Sequence, residues 1–337
     1  MRARRCRVRQ AVNRGVAVPR IVVTRNVPEA AVELLRGAGQ VHVCERDQAL
    51  DPDELREVVA GADGIVAMLG DSVDGPVADA AGPQLKVVAN VAVGYDNLDV
   101  PALAERGVTV TNTPGVLTDA TADLAFALLL MSTRRLGEGE RLIRAAQPWF
   151  FHLGFMLGTG LQGKTLGIIG LGEIGQAVAR RARAFGMRIA YTGRRRVAAE
   201  VEAELDARYL AQDELLRESD VLSLHCPLTE QTRHLIDAAA LATMKPSAVL
   251  INTSRGPVVD EAALAEALRT GRIAAAGLDV FENEPAVHRE LLDLENVVLI
   301  PHLGSATVET RTAMAELAAR NVVGVLTGNG PVTPVEA

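Results

Sequence analysis

Residues 165–196 constrain this chain more than any other stretch. A short apolar run at 166–169 has the character of a buried strand. It leads into Gly170-Leu171-Gly172-Glu173-Ile174-Gly175, a G-x-G-x-x-G. A helical stretch follows to Phe185, Gly186 supplies the left-handed residue that stops a helix, and residues 188–191 form a second strand. In such a strand–helix–strand unit the first glycine allows the tight turn. The second lets backbone approach a pyrophosphate, and the third lets the helix pack closely on the strand. The pyrophosphate meets unpaired N–H groups at the positive end of the helix dipole. The spacing predicts dinucleotide binding.

Around this unit the chain alternates short apolar runs with helical stretches. Strands are expected at 20–24, 41–44, 64–68, 85–90 and 108–111, with helices at 29–38, 53–60 and 100–106. A long helix is expected over 118–146, with Gly137 and Gly139 as its weak points. Strands recur at 221–224, 249–252, 275–278 and 297–300, with helices at 212–218, 238–244, 261–270 and 305–326. Asp260 is the expected N-cap of the 261–270 helix and Gly271 its stop. The Gly-Asn-Gly-Pro tail at 328–331 is expected to end ordered structure. Alternation with short connections is the signature of parallel α/β sheets, and 337 residues suffice for two domains. Aromatics are only 3% of the chain, so small and branched aliphatics must fill the cores, as suits parallel strands covered on both faces.

Charge separates the head from the body. Residues 1–28 hold eight arginines and no acid, whereas the remainder holds 27 basic against 42 acidic residues. The acidic body argues against nucleic acid as the main partner. The head lacks an apolar core, so it does not read as a secretory signal, and residues 1–19 are expected to be a disordered basic extension. The longest apolar run, 124–131, is too short to span a bilayer. Cys6, Cys44 and Cys226 are widely spaced, with neither a metal nor a disulfide pattern, which suits a reducing cytoplasm. Residues 158–165 formally fit the G-x-x-x-x-G-K-[ST] phosphate loop. That loop must follow a strand and open a helix, whereas this one runs directly into a strand and reads as a linker.

Four further strand ends carry chemistry. Arg255 follows the 249–252 strand, at the end where open α/β sheets bind ligands, and its planar fork suits a carboxylate. Residues 277–285 bring Asp279, Glu282 and Glu284 after the next strand, and His302 follows the last. A carboxylate beside an imidazole orients it and makes it a proton donor usable near neutrality. After the 85–90 strand, Gly94 can open a small anion nest.

These motifs together resemble the D-isomer-specific 2-hydroxyacid dehydrogenases, over about residues 20–327. The resemblance is carried by Val93-Gly94-Tyr95-Asp96, Gly170 to Gly175, His225-Cys226-Pro227-Leu228-Thr229, residues 252–256, residues 277–285 and residues 301–307. Residues 191–194 and 116–121 are similar to glyoxylate/hydroxypyruvate reductases within the family. The resemblance implies a Rossmann cofactor domain, 116–300, inserted into a flavodoxin-like substrate domain, 20–115 with 301–330, both doubly wound parallel sheets. It also implies a homodimer held largely by the cofactor domains, and an active site in the interdomain cleft. It makes Arg255, Glu284 and His302 catalytic, with His302 as acid/base and Glu284 as its partner. Arg255, Leu69, Val93 and Gly94 would bind the substrate. Asp279 would hold the nicotinamide carboxamide. Thr121, Cys226, Pro227, Thr232, Thr253, Ser254, Arg255, His302 and Gly304 would line the cofactor beside the nucleotide turn, Gly170, Leu171, Gly172, Glu173, Ile174 and Gly175. No metal is implied. The segment Trp149-Phe150-Phe151-His152-Leu153-Gly154 lacks the proline and second tryptophan often found there in the family, which leaves the exact substrate open.

The resemblance also bears on the cofactor. An acidic residue at the end of the second strand bonds the ribose 2′-OH of NAD and repels a 2′-phosphate. Counted from Gly175, that position is Gly193, and there is no acid between Gly175 and Glu200. Thr192, Gly193, Arg194 and Arg195 stand there instead, so NADP(H) is expected in preference to NAD(H). The implied activity is reduction of glyoxylate, hydroxypyruvate or a similar small 2-keto acid to the D-2-hydroxy acid. Two alternatives stay open: a dehydrogenase for another 2-hydroxy acid, of phosphoglycerate or D-lactate type, and a nucleotide-sensing, corepressor-like protein of the same fold.

Overall fold

The structure, a computed structural model, describes residues 18–336. The expected basic extension falls almost wholly outside them. The chain divides into two compact units: one runs to Leu117 and resumes at Thr307, and the other is Thr118–Ala306. These borders differ from the expected 115/116 and 300/301. The segment holding His302 and Gly304 therefore belongs with the inserted unit.

The first unit alternates β1 (Arg20–Val23), α1 (Glu29–Arg36), β2 (Gln40–Val43), α2 (Pro52–Val59), β3 (Gly64–Ala67), α3 (Gly75–Ala81), β4 (Val87–Asn90), α4 (Val100–Glu105) and β5 (Thr109–Thr111). Its strands are all parallel, in the order β2-β1-β3-β4-β5, the flavodoxin-like arrangement. Strand side chains alternate between faces. Ile21, Val23, Val66, Val87 and Ala89 share one core with Ala31 and Leu35 of α1. Val22, Ile65, Ala67, Val88 and Val110 share the other with Leu55, Val77 and Leu103 of α2, α3 and α4.

The inserted unit begins with α5 (Thr118–Thr133) and α6 (Leu136–Arg144). It continues through β6 (Thr165–Ile169), α7 (Glu173–Ala184), β7 (Arg188–Thr192), α8 (Ala199–Leu205), β8 (Ala207–Tyr209), α9 (Gln212–Glu218) and β9 (Val221–Leu224). Then come α10 (Ala238–Thr243), β10 (Val249–Asn252), α11 (Glu261–Arg269), β11 (Ala275–Leu278) and β12 (Val297–Leu299). The parallel order β12-β11-β10-β9-β6-β7-β8 is the Rossmann order with one strand added. Leu166, Ile168, Ile189 and Ile251 pack with α5 and α7 on one face, and Leu222, Leu224, Leu250 and Leu278 with Leu215, Leu241 and Leu264 on the other. The chain then returns to the first unit as α12 (Val308–Leu326), whose Ala315, Ala318 and Val322 join the core under α1.

Two expectations need correction. The 118–146 helix is broken at Arg135, which takes the left-handed conformation (φ 55°), and not at Gly137 or Gly139, which lie inside α6. The cause is remote. The Thr133 carbonyl accepts from the Thr159 amide at 2.8 Å, and Gly158 packs so closely that a Cβ there would fall 2.4 Å from the same oxygen. The tail also continues past residue 331. The Asn321 side chain on α12 accepts from the Val332 and Thr333 amides at 2.8 and 2.9 Å, and Val335 donates to Val110 of β5 at 2.9 Å. The 158–165 stretch behaves as a linker: it turns at Gly163 (φ 73°) and enters β6.

Candidate active site

The nucleotide turn is built as its glycines require. Gly170 has φ 94°, and a Cβ there would sit 2.8 Å from the His225 carbonyl group at the end of β9. A Cβ on Gly175 would fall 2.4 Å from the Gly170 oxygen, so the glycine lets α7 rest on the turn. At Gly172, the N-cap of α7, a Cβ would meet nothing within 4 Å, and no side chain caps the helix. No side chain therefore takes up the free N–H groups of the helix start, as an anion site needs.

At the end of β7, Thr192 is buried. Of the three arginines that follow, Arg196 is committed: its guanidinium holds Glu202 through two 2.7 Å contacts. With the Tyr191 hydroxyl, this keeps the Glu202 carboxyl down at about 2. Arg194 and Arg195 are exposed, and among the described residues neither has a carboxylate within ion-pair distance.

The turn after β10 is folded by Asn252, which sequence reasoning missed. Its side-chain oxygen accepts from the Ser254 amide and hydroxyl at 3.0 and 2.9 Å, and its nitrogen donates to the Arg255 carbonyl at 2.9 Å. An asparagine at a strand end before Ser is an Asx-turn signal that could have found it. The Asn252 carbonyl also accepts from Asp279, tying this turn to the end of β11.

Asp279 is 1% exposed. Its carboxylate accepts from the Leu303 amide at 2.5 Å and the Gly304 amide at 2.8 Å, while its carbonyl accepts from His302 at 2.8 Å. Burial pushes its carboxyl up, against those amides and the charge of His302. Asp279 thus shapes the turn that presents His302, which has φ 50°. Thr121 on α5 closes the same turn, donating to the Gly304 carbonyl at 3.2 Å.

His302 Nδ1 lies 2.8 Å from Glu284 Oε2, and the Phe281 amide donates to Glu284 Oε1 at 3.1 Å. Burial raises the Glu284 carboxyl, but the His302 hydrogen bond and charge, the Phe281 amide and the Arg255 charge outweigh it and hold it below the usual range. An ionised carboxylate only accepts, so Nδ1 carries the hydrogen of this contact. That leaves Nε2 as the nitrogen able to hand a proton to a ligand.

Other expected cofactor residues lie at neighbouring strand ends. Cys226 is buried, and burial pushes its thiol up to about 11, so it stays protonated. The Thr232 hydroxyl donates to the Pro227 carbonyl at 2.7 Å and braces that loop. The Thr253 hydroxyl is buried without a hydrogen-bond partner among the described residues. His225 is half-buried, its Nε2 2.8 Å from the Ser223 hydroxyl, and burial lowers it to about 4, so it is neutral near pH 7. Among the described residues, no group of three or more His, Cys, Asp or Glu side chains could hold a metal. No helix there is long and apolar enough to cross a membrane.

Leu69, Val93 and Gly94 belong to the first unit, on loops after β3 and β4. The carbonyls of Val93 and Gly94 are tied back by Asn112 and Asn90 at 2.8 and 2.9 Å. The turn carrying Leu69 is closed by fully buried Asp71, which accepts from Met68 N, the Thr24 hydroxyl and Arg25 at 2.8, 2.6 and 2.7 Å. This network, unread in the sequence, knits together the strand ends at the β1/β3 switch point.

A doubly wound nucleotide fold with an Arg, a Glu–His pair and a buried Asp at its strand ends defines a nicotinamide-dependent oxidoreductase site. Residues 126–304 match the family described as D-isomer specific 2-hydroxyacid dehydrogenase, NAD binding domain. The chain is 49% identical over 322 residues to a glyoxylate reductase of Thermococcus onnurineus, covering 94% of this chain and 96% of the relative. Two solved structures are similar. A glyoxylate reductase from Paecilomyes thermophila has TM-score 0.85 and 34% identity, covering 94% of this chain and 98% of that one. The NADPH-dependent glyoxylate/hydroxypyruvate reductase of Sinorhizobium meliloti, in complex with NADP and malonate, has TM-score 0.82 and 39% identity, covering 95% and 97%. The chain belongs to the D-isomer-specific 2-hydroxyacid dehydrogenase family.

Proposed function

We propose that this protein reduces glyoxylate, hydroxypyruvate or a similar small 2-keto acid to the D-2-hydroxy acid, using NADPH in preference to NADH. The observation that carries the reading is the 2.8 Å contact between His302 Nδ1 and Glu284 Oε2, in a chain whose similar proteins are named glyoxylate reductases. The uncapped N-terminus of α7 and the space at Gly172 fit a dinucleotide. When bound, NADPH supplies the hydride for the keto carbon. Arg255 grips the substrate carboxylate and polarises the ketone oxygen. The amides of Leu69, Val93 and Gly94 serve the carboxylate as well. His302, oriented by Glu284, gives its Nε2 proton to the developing alkoxide.

The NADPH preference rests on Gly193, which removes the repelling acid, and on Arg194 and Arg195, which are not spent on a carboxylate as Arg196 is. These two guanidiniums and the Thr192 hydroxyl would hold the 2′-phosphate. A homodimer, working in the cytoplasm, completes the proposal. Its support is the exposed apolar run at Phe150, Phe151 and Leu153, which are 81, 83 and 90% exposed in the isolated chain.

A panel of 2-keto acids, followed by the loss of NADPH absorbance, tests the reading. Glyoxylate and hydroxypyruvate should be turned over fastest, and a panel without turnover would overturn it. Arg194→Ala should raise the KM for NADPH severalfold and leave that for NADH nearly unchanged. A wild-type kcat/KM favouring NADH would contradict the cofactor assignment.

A further inference from the structure

Glu284 sits on an irregular segment between β11 and β12, and something must hold it against His302. Gly256 supports the start of this segment, since a Cβ there would fall 1.8 Å from the Phe281 carbonyl carbon. The stronger hold is Glu261, the first residue of α11, only 5% exposed. One of its carboxylate oxygens accepts from the Glu282 amide at 2.7 Å and the other from the His288 amide at 3.3 Å. A single buried carboxylate thus spans the segment, with Glu284 between its two attachment points. Glu282 answers: it accepts from the Glu261 amide at 2.8 Å, filling one of the free N–H groups of the helix start, and its other oxygen faces His234 Nε2 at 3.2 Å.

We infer that Glu261 is a positioning residue for the catalytic pair: its two-ended grip on the 282–288 segment sets Glu284 against His302. The chemistry requires a carboxylate. Two backbone donors face it, and a carboxamide has one acceptor oxygen, so a glutamine would turn its NH2 towards one of them. Arg255 lies on the same run of chain, six residues before Glu261, so the grip also fixes the Glu284 segment to the segment that presents the guanidinium.

This inference rests on the reading that Glu284 serves His302, and a double-mutant cycle separates the two. The kcat for glyoxylate reduction is measured, with both substrates saturating, in the wild type, Glu261→Gln, Glu284→Gln and the double variant. Glu261→Gln should lower kcat about tenfold in the wild-type background and less than about twofold in the Glu284→Gln background, because residues acting through one another are not additive. NADPH affinity, read by nicotinamide fluorescence, should change less than about twofold in Glu261→Gln. An unchanged kcat in Glu261→Gln, or an equal loss in both backgrounds, would overturn the inference. A Glu284→Gln protein as active as wild type would instead overturn the reading beneath it. If Glu261→Gln does not fold, His288→Pro makes the same comparison. It deletes the second donor, at a φ of −54° that proline adopts, and should give a smaller loss that again vanishes in the Glu284→Gln background, whereas His288→Ala, which loses the imidazole but keeps the amide, should lose less.

Discussion

At the scale of single residues, some groups are proposed to meet the substrate and others hold those groups in place. His302 is assigned to the first kind, and His302→Ala should lower turnover by about 10²-fold or more while nicotinamide binding persists. Rapid-mixing turnover and a fluorescence titration check the two halves of that statement. Glu284 gives a pH signature. Its folded pKa is held below the usual carboxylate value, so its contribution to stability is complete above about pH 4.3 and is lost as pH falls through the lowered value. The difference in melting temperature between wild type and Glu284→Gln should therefore shrink on acidification below about pH 4. A difference that grows on acidification would contradict the assignment. Arg255 and His302 were legible as candidates because strand ends of a parallel sheet are where chemistry gathers. The partnership of His302 with Glu284, 18 residues away, was legible only through family resemblance. Glu261 and Asp71 were not legible, because their hydrogen bonds run to backbone or side chains that only the fold brings near, whereas Asn252 bonds within three residues and left a local signal.

At the scale of elements, the second and third glycines of the nucleotide turn make different demands. Gly172→Ala adds a methyl group where the protein has nothing within 4 Å, so the melting temperature should hold while NADPH binding weakens. Gly175→Ala drives a methyl group to 2.4 Å from the Gly170 oxygen, so both should fall. Thermal melts with a cofactor titration on the two variants would show the split, and a Gly172→Ala protein binding NADPH as wild type does would contradict the pyrophosphate role of the turn. Most strand positions were readable because parallel strands are continuous apolar runs bounded by glycine or polar residues; β8 was missed, because its Ala-Arg-Tyr is no apolar run and two of its residues are exposed. The break at Arg135 was not, since it comes from the Thr133 carbonyl being taken by Thr159, far along the chain. Local composition pointed to Gly137 and Gly139, which the helix accommodates.

At the scale of the molecule, one nucleotide-binding unit interrupts another α/β unit, and α12 carries the chain back to the first core. The two sheet orders place switch points between β1 and β3 and between β6 and β9, where the loops at the strands' carboxyl ends diverge. The alternation of elements made this class readable from sequence. The docking of residues 332–335 on β5 was not readable, because it depends on Asn321, an ordinary polar residue of a helix until its partners are placed. The exposed run at 150–153 predicts association: sedimentation should give a dimer, and Phe150→Ser with Phe151→Ser should give monomers that keep the fold. A wild-type protein that sediments as a monomer at micromolar concentration would contradict it.

The central claim is that the protein delivers hydride and proton to a small 2-keto acid to make the D-hydroxy acid. The most direct measurement is to incubate the pure protein with hydroxypyruvate and NADPH and determine the configuration of the glycerate formed. The account predicts stoichiometric NADPH oxidation with D-glycerate as the sole product, whereas L-glycerate, or no NADPH oxidation at all, would contradict it.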